Sequence, residues 1–283
     1  MPPRQLPGML CLPTMKTPCA LYYFSSTGNS LAVALALAQC LDAPDPVSIP
    51  GSLVLPDPYA ASREVEKVGF VFPVHRATLP EMARGFIEQM PVREDCYYFA
   101  ISTHTLFGMN EFWDIDEVLS AKGALLNYAA AVRMTGNVGL LNPDFRSVER
   151  RQHLMEAQIA EIAEAINNRQ ENYFRRSVKL LGRLVRTFTE QRRNSIRFRV
   201  DERCTRCGVC AAVCPAQNIS VGIDASQAPV RSDKCEACLA CVHWCPAGAL
   251  STATRLHQHY HHPQIRPEQL NPERFNHETS DIA

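Results

Sequence analysis

Eight of the chain's twelve cysteines fall between residues 204 and 245, and their spacing occurs twice. Cys204, Cys207, Cys210 and Cys214 followed by Pro215 form C-x2-C-x2-C-x3-C-P; Cys235, Cys238, Cys241 and Cys245 followed by Pro246 form it again, an internal duplication. Three thiolates at such intervals wrap one face of a cuboidal iron-sulfur cluster, while the fourth, in the following helix, points to the neighbouring cluster. The ligand sets therefore interlock: Cys204, Cys207 and Cys210 go with Cys245, and Cys235, Cys238 and Cys241 go with Cys214. Structural zinc is the competing reading, since paired C-x2-C knuckles make tetrahedral sites. Zinc has no use for the third cysteine or for a Cys-Pro at fixed distance, so the spacing points to two 4Fe-4S clusters. His243 and Trp244, lodged between ligands, read as packing or surface residues.

A second constellation lies near the N-terminus. Ser25, Ser26, Thr27, Gly28, Asn29 and Ser30 stand between an apolar run and an Ala/Leu-rich run. At a helix N-terminus such a loop offers backbone N–H and hydroxyl donors to a phosphate, helped by the positive end of the helix dipole and without Lys or Arg. Gly28 permits the tight turn. The plainer alternative is that these residues simply cap the helix.

The elements that must position these residues follow from the hydrophobic pattern. Residues 19–26, 47–49, 68–74, 97–102 and 125–134 read as strands, and residues 29–41, 79–90, 110–122 and 148–168 as helices. In the last of these Leu154, Ile159, Ile162 and Ile166 form the apolar stripe. Strand-helix alternation implies a parallel sheet covered on both faces, and five strands suit the order 2-1-3-4-5. The predicted organisation is an extension over 1–18, an α/β domain over 19–172, a basic helical linker over 173–196, a small α+β cysteine-rich domain over 197–254 and a polar tail over 255–283. So small a cysteine-rich domain builds little core, and bound clusters are expected to hold it folded.

Composition narrows the partners. Twenty-nine basic and twenty-nine acidic residues cancel, giving no reason to expect nucleic acid. With no signal-peptide pattern and no apolar run of membrane-spanning length, a cytoplasmic, reducing location is expected, where a disulfide framework is improbable. Cys11, Cys19, Cys40 and Cys96 then read as small core or surface residues. The basic helix near residues 173–191 could dock an acidic partner or touch a membrane surface, although packing its apolar stripe and solvating its arginines is the simpler reading.

The cysteine-rich segment resembles the bacterial two-cluster ferredoxins, with every ligand in place. The Ser25–Ser30 loop resembles the flavodoxins, whose first loop runs Ser/Thr-x-Thr-Gly-x-Ser/Thr. No G-x-G-x-x-G follows a predicted strand, and no Walker loop is present. The flavodoxin resemblance implies FMN, with its ring flanked by Pro73, Val74, His75 and Arg76 after the third strand and by Ser102, Thr103, His104, Thr105, Phe107 and Gly108 after the fourth. Phe107 is the candidate to stack on the ring. The order of modules resembles a family of flavodoxin and ferredoxin fusion proteins, whose members continue into an Arg/Tyr/His-Pro segment like Tyr260-His-His-Pro263. That resemblance implies a flavodoxin-like five-stranded sheet, a ferredoxin-like domain and electron transfer between FMN, the clusters and a redox partner protein. Two alternatives remain: a flavin-dependent reductase of a small-molecule substrate beside His75, Arg76 and His104, and a redox- or iron-sensing module.

Overall fold

The computed structural model describes residues 18–75, 78–105, 110–136, 146–172, 199–222, 228–252 and 259–271, with 110 and 146–150 as backbone only. Arg76, Phe107, Gly108 and the basic helix near 173–191 lie outside the described residues. Strands β1 (Cys19–Tyr23), β2 (Val47–Ser48), β3 (Lys67–Pro73), β4 (Tyr97–His104) and β5 (Leu126–Arg133) form one sheet of order β2-β1-β3-β4-β5. Every pairing is parallel, with Tyr22 opposite Val47 and Phe70, and Pro73 opposite Thr103. This is the flavodoxin-like order, whose switch point lies between β1 and β3.

Successive side chains of a strand point to opposite faces, and each face has its own cover. Leu21, Tyr23, Val71, Phe99, Ile101 and Val132 pack with α1 (Asn29–Leu41) and α5 (Arg146–Asn167). Tyr22, Phe70, Phe72, Tyr98 and Ala100 pack with α3 (Glu81–Gln89) and α4 (Asn110–Ser120), while the short α2 (Ile49–Ser52) closes the β2 end. The expected second strand is cut to two residues because the Ser48 hydroxyl accepts from Gly51 N–H and starts that helix. The stripe of α5 runs through Met155, Ile159, Ile162 and Ile166; Leu154, expected on it, is 60% exposed one position off the buried face. Cys40, read from the sequence as a small core or surface residue where a disulfide was improbable, is disulfide-bonded.

The C-terminal half is a small α+β unit: β6 (Arg199–Val200), α6 (Val209–Ala212), β7 (Ile219–Ser220), β8 (Val230–Arg231), α7 (Ala240–His243) and β9 (Leu250–Ser251). Its strands pair antiparallel, β6 with β9 and β7 with β8. Residues 259–271 then return to the sheet. Their buried Tyr260, Ile265 and Leu270 correct the expectation of a merely polar tail. Among the described residues no helix is long and apolar enough to cross a membrane.

Two packing details generate tests. A Cβ on Gly69 in β3 would stand 2.3 Å from the Phe99 ring, so Gly69→Ala forces the core apart and should cost about 1–3 kcal/mol, read as a lower denaturant midpoint. Glu111, in the first turn of α4, is fully buried, and burial raises its carboxyl from 4.5 to about 7. The folded state thus holds a proton that the unfolded chain has lost between these values, so stability falls as pH rises through that window. Glu111→Gln should therefore gain up to about 3 kcal/mol on the parent above neutrality. The gain should vanish below pH 4.5 in urea melts run across pH.

Candidate functional site

The two cysteine repeats match in backbone as well as in sequence. Arg206 and Ala237, just before the middle cysteines, have φ of 58° and 55°; Gly208 and Leu239, just after them, have 76° and 62°. Gln217 and Gly248, three residues past the fourth cysteines, are also left-handed, at 48° and 58°. Such turns wind the chain so that consecutive thiols face inward, a conformation that costs non-glycine residues energy and is kept where the surroundings fix it. Backbone N–H groups of Asn218 and Ala249 donate to the sulfurs of Cys214 and Cys245, each at 3.3 Å, and Ala237 N–H donates to Cys235 at 3.3 Å.

One of the two expected groups of thiols shares a single hollow. Cys214 lines one hollow together with Cys235, Cys238 and Cys241, walled by Pro215, Ile219 and Arg231. Burial, followed by repulsion from Cys214, Cys241 and Cys235, raises the Cys238 thiol well above its usual range. Burial likewise pushes Cys210 up to about 11, with Cys207, Cys245 and Cys204 adding to it. Among the described residues, no three Cys, His, Asp or Glu side chains close on a point that one metal ion would occupy. The four thiols surround a space instead.

The phosphate-loop candidate is equally defined. Gly28 enters α1 at φ 91°, and no side chain caps the helix. The capping alternative left open by the sequence is therefore not what the loop does. Ser30 Oγ bonds Thr103 Oγ1 at 2.8 Å, tying the loop to the end of β4, and Asn29 Nδ2 donates to Thr135 O at 2.9 Å. Ser25 Oγ is buried without a hydrogen-bond partner. An orphaned hydroxyl beside an uncapped helix start suits a bound phosphate, and the residues present fit that group.

Of the flanking loops, His75 exchanges backbone hydrogen bonds with Thr78 at 3.0 and 2.9 Å, and its ring meets Phe24 edge-on at 5.7 Å. Pro73 ends β3, and Val74 N–H donates to Thr103 O at 3.0 Å. Ser102 is fully buried; burial, then Arg133, lowers the pKa of His104, while Thr105 O accepts from Arg133 Nε at 3.1 Å. These residues do gather at the carboxyl edge of the sheet, where Ser102 Oγ and both carboxyl oxygens of Glu111 in α4, which sequence reading missed, are buried without hydrogen-bond partners.

Sequence reading also missed the bridge between the halves. The indole of Trp244, between Cys241 and Cys245, donates to Ser26 O at 2.8 Å and stacks on His261 at 4.2 Å. His262 N–H donates to Thr27 O at 2.7 Å, and Tyr260 OH donates to Asn29 Oδ1 at 2.7 Å. Further along, Tyr23 OH donates to Leu270 O at 3.1 Å, and Ser48 Oγ to the same oxygen at 3.2 Å. A Cβ on Gly28 would stand 2.9 Å from Ile265 Cβ, so the glycine is required both by its φ and by this contact. The one local signal was an aromatic residue set between ligand cysteines.

Residues 197–246 match the family model described as a 4Fe-4S dicluster domain. No curated protein matches the chain. Among solved structures, the chain is similar to a flavodoxin from Streptococcus pneumoniae TIGR4 at 19% identity and TM-score 0.34, over 52% of this chain and 97% of that one. A WrbA-like flavodoxin from Agrobacterium tumefaciens is similar at 14% identity and TM-score 0.34, over 52% and 98%. The flavodiiron core from Synechocystis sp. PCC6803 is similar at 14% identity and TM-score 0.38, over 54% of this chain and 36% of that one. At these TM-scores the fold assignment rests on the strand order seen in this chain. The chain is thus a fusion of a flavodoxin-like parallel sheet, defined by that order, with a ferredoxin-type 4Fe-4S dicluster domain, defined by its match over residues 197–246.

Proposed function

We propose that this chain is an electron-transfer flavoprotein that relays electrons between FMN and two 4Fe-4S clusters, to or from a redox partner protein. The observation that carries the reading is the Trp244 hydrogen bond to Ser26, which fastens a residue between two cluster ligands to the phosphate loop. FMN exchanges electrons in pairs or singly and each cluster passes one at a time, so together they convert between the two modes.

The chain's own residues divide the remaining work. Ser25–Ser30 hold the phosphate through backbone N–H groups and the free Ser25 hydroxyl, at the positive end of α1. The thiol-lined hollow supports a polynuclear cluster over a single zinc ion, with Cys204, Cys207, Cys210 and Cys245 holding one cluster and Cys235, Cys238, Cys241 and Cys214 the other. The N–H groups of Asn218, Ala249 and Ala237 aim at sulfur and would moderate the charge carried there. The repeats differ in surroundings: Cys207 is exposed, whereas its counterpart Cys238 packs against the core shared with α1 and β1. This asymmetry makes the first-repeat cluster the partner-facing end and the second the flavin-facing end.

Anaerobically prepared protein should contain about eight irons, eight sulfides and one FMN per chain. Zinc in place of iron, or loss of all flavin on gel filtration, would remove the reading. Cys214→Ala should cost the second-repeat cluster about half of the protein's iron, leaving Cys204, Cys207, Cys210 and Cys245 protected from anaerobic alkylation. Protection of Cys235, Cys238 and Cys241 instead would show that the sets do not interlock.

A further inference from the structure

Two carbonyls of the phosphate loop are held by donors from the far half of the chain. Trp244 Nε1 donates to Ser26 O at 2.8 Å, and His262 N–H donates to Thr27 O at 2.7 Å. In a trans peptide the carbonyl oxygen and the following N–H point in opposite directions, so fixing the one aims the other. The Trp244 bond thus turns the Thr27 N–H, and the His262 bond the Gly28 N–H, to the side opposite each donor. Among the described residues neither N–H meets an acceptor. Two neighbouring donors in a buried loop before α1 are what an anion bound there would use.

Trp244 has ties of its own. It is 7% exposed, belongs to the core around α1, and has the His261 ring stacked on its indole at 4.2 Å. In sequence it stands between Cys241 and Cys245, which the interlocked sets give to different clusters. The unit that carries it has little else to hold it together: its own buried core is Ile219, Val242 and Leu250 with Cys210 and Cys214, two of the expected ligands. A unit so built relies on bound metal to keep its fold. Whatever orders α7 and the turn after it therefore also orders the indole that holds Ser26 O.

We propose that Trp244 is a positioning residue of the flavin phosphate loop, and that through it the filling of the clusters and the binding of FMN favour each other. This deepens the flavin and cluster reading and rests on it. The coupling is reciprocal of necessity: if filled clusters tighten FMN, bound FMN tightens the hold on the clusters by the same factor. Because the contacts fall on the phosphate loop, the coupling acts on FMN and passes over riboflavin, which lacks the phosphate.

Flavin-depleted protein, kept anaerobic, is titrated with FMN and with riboflavin by quenching of flavin fluorescence, once with its clusters and once after a chelator has removed the iron. Removing the clusters from the parent should weaken FMN about ten- to hundredfold and leave riboflavin unchanged. In the reverse direction FMN, and not riboflavin, should raise the chelator concentration that strips half of the iron. Trp244→Phe, which loses the N–H and keeps a ring against His261, should weaken FMN about three- to tenfold with its iron complete. It should then lose less than the parent does on cluster removal. His261→Ala, at an exposed position, takes away the stack alone, should weaken FMN in the same sense, and stands in for Trp244→Phe if that variant does not take up iron. Parental FMN affinity after cluster removal overturns the coupling. Parental FMN affinity in the iron-complete variant overturns the role of Trp244, as does an equal loss for both flavins, which would mark a loosened domain. Each of these leaves the flavin reading intact, whereas a cluster-loaded parent that binds neither flavin overturns both.

Discussion

The first turn of α1 sets the terms for the rest of the molecule. A helix start leaves several backbone N–H groups without partners, and burying them uncompensated is costly. Here the turn is buried, Gly28 brings the chain in through a left-handed residue, and no side chain caps it. The surrounding structure takes up the loop's carbonyls and leaves its donors available: Ser26 O goes to Trp244 and Thr27 O to His262. Acceptors are spent on joining the two halves, and the donors are left over, as the proposed phosphate requires. One short loop therefore joins the two halves and, on the proposed reading, also cradles charge.

The duplicated cysteine segment shows how one local geometry acquires two roles. Left-handed residues recur at matched positions of both repeats, so each half can wind around its own centre. What differs is the company each keeps. Both repeats reach the core around α1, through Val213 in the first and Ala240 and Trp244 in the second, but Thr205, Arg206 and Cys207 of the first are exposed where Glu236, Ala237 and Cys238 at the matching places are half-buried. Because solvent exposure and burial are among the levers that set cluster potentials, equal sequences placed in unequal surroundings need not be equal electron acceptors.

Much of this was legible in the sequence, for physical reasons that can be named. Cluster ligands are fixed by spacing over a few residues, and the sheet by buried strands reading as continuous apolar runs, as in VGFVFP of β3. The phosphate loop is likewise a local pattern, although sequence alone could not separate anion binding from capping. The rest depends on contacts made across the chain. Nothing near Tyr260 announces that its hydroxyl ends on Asn29, and the polar look of HYHHPQ conceals buried Tyr260 and His262. Periodicity also slipped by one position on α5, where Leu and Met at 154 and 155 score alike and only the packing against β5 and α1 chooses Met155. Glu111 was invisible because an acid in the first turn of a helix reads as an ordinary partner of the dipole; its burial comes from the sheet above it.

The closing segment bears on how the molecule is made. Chains emerge from the ribosome N-terminus first, and domains tend to fold as they appear. The five strands and their helices are complete by residue 167, yet Gly28 meets Ile265 only after nearly a hundred further residues have been synthesised. A nascent sheet therefore presents an unroofed cradle, and a prosthetic group entering at that stage could leave as easily as it came. On the proposed reading, secure retention of a flavin is a late event in biogenesis, tied to the maturation of the cysteine-rich half, so that chains without a finished electron path would also be the ones least able to keep their pigment.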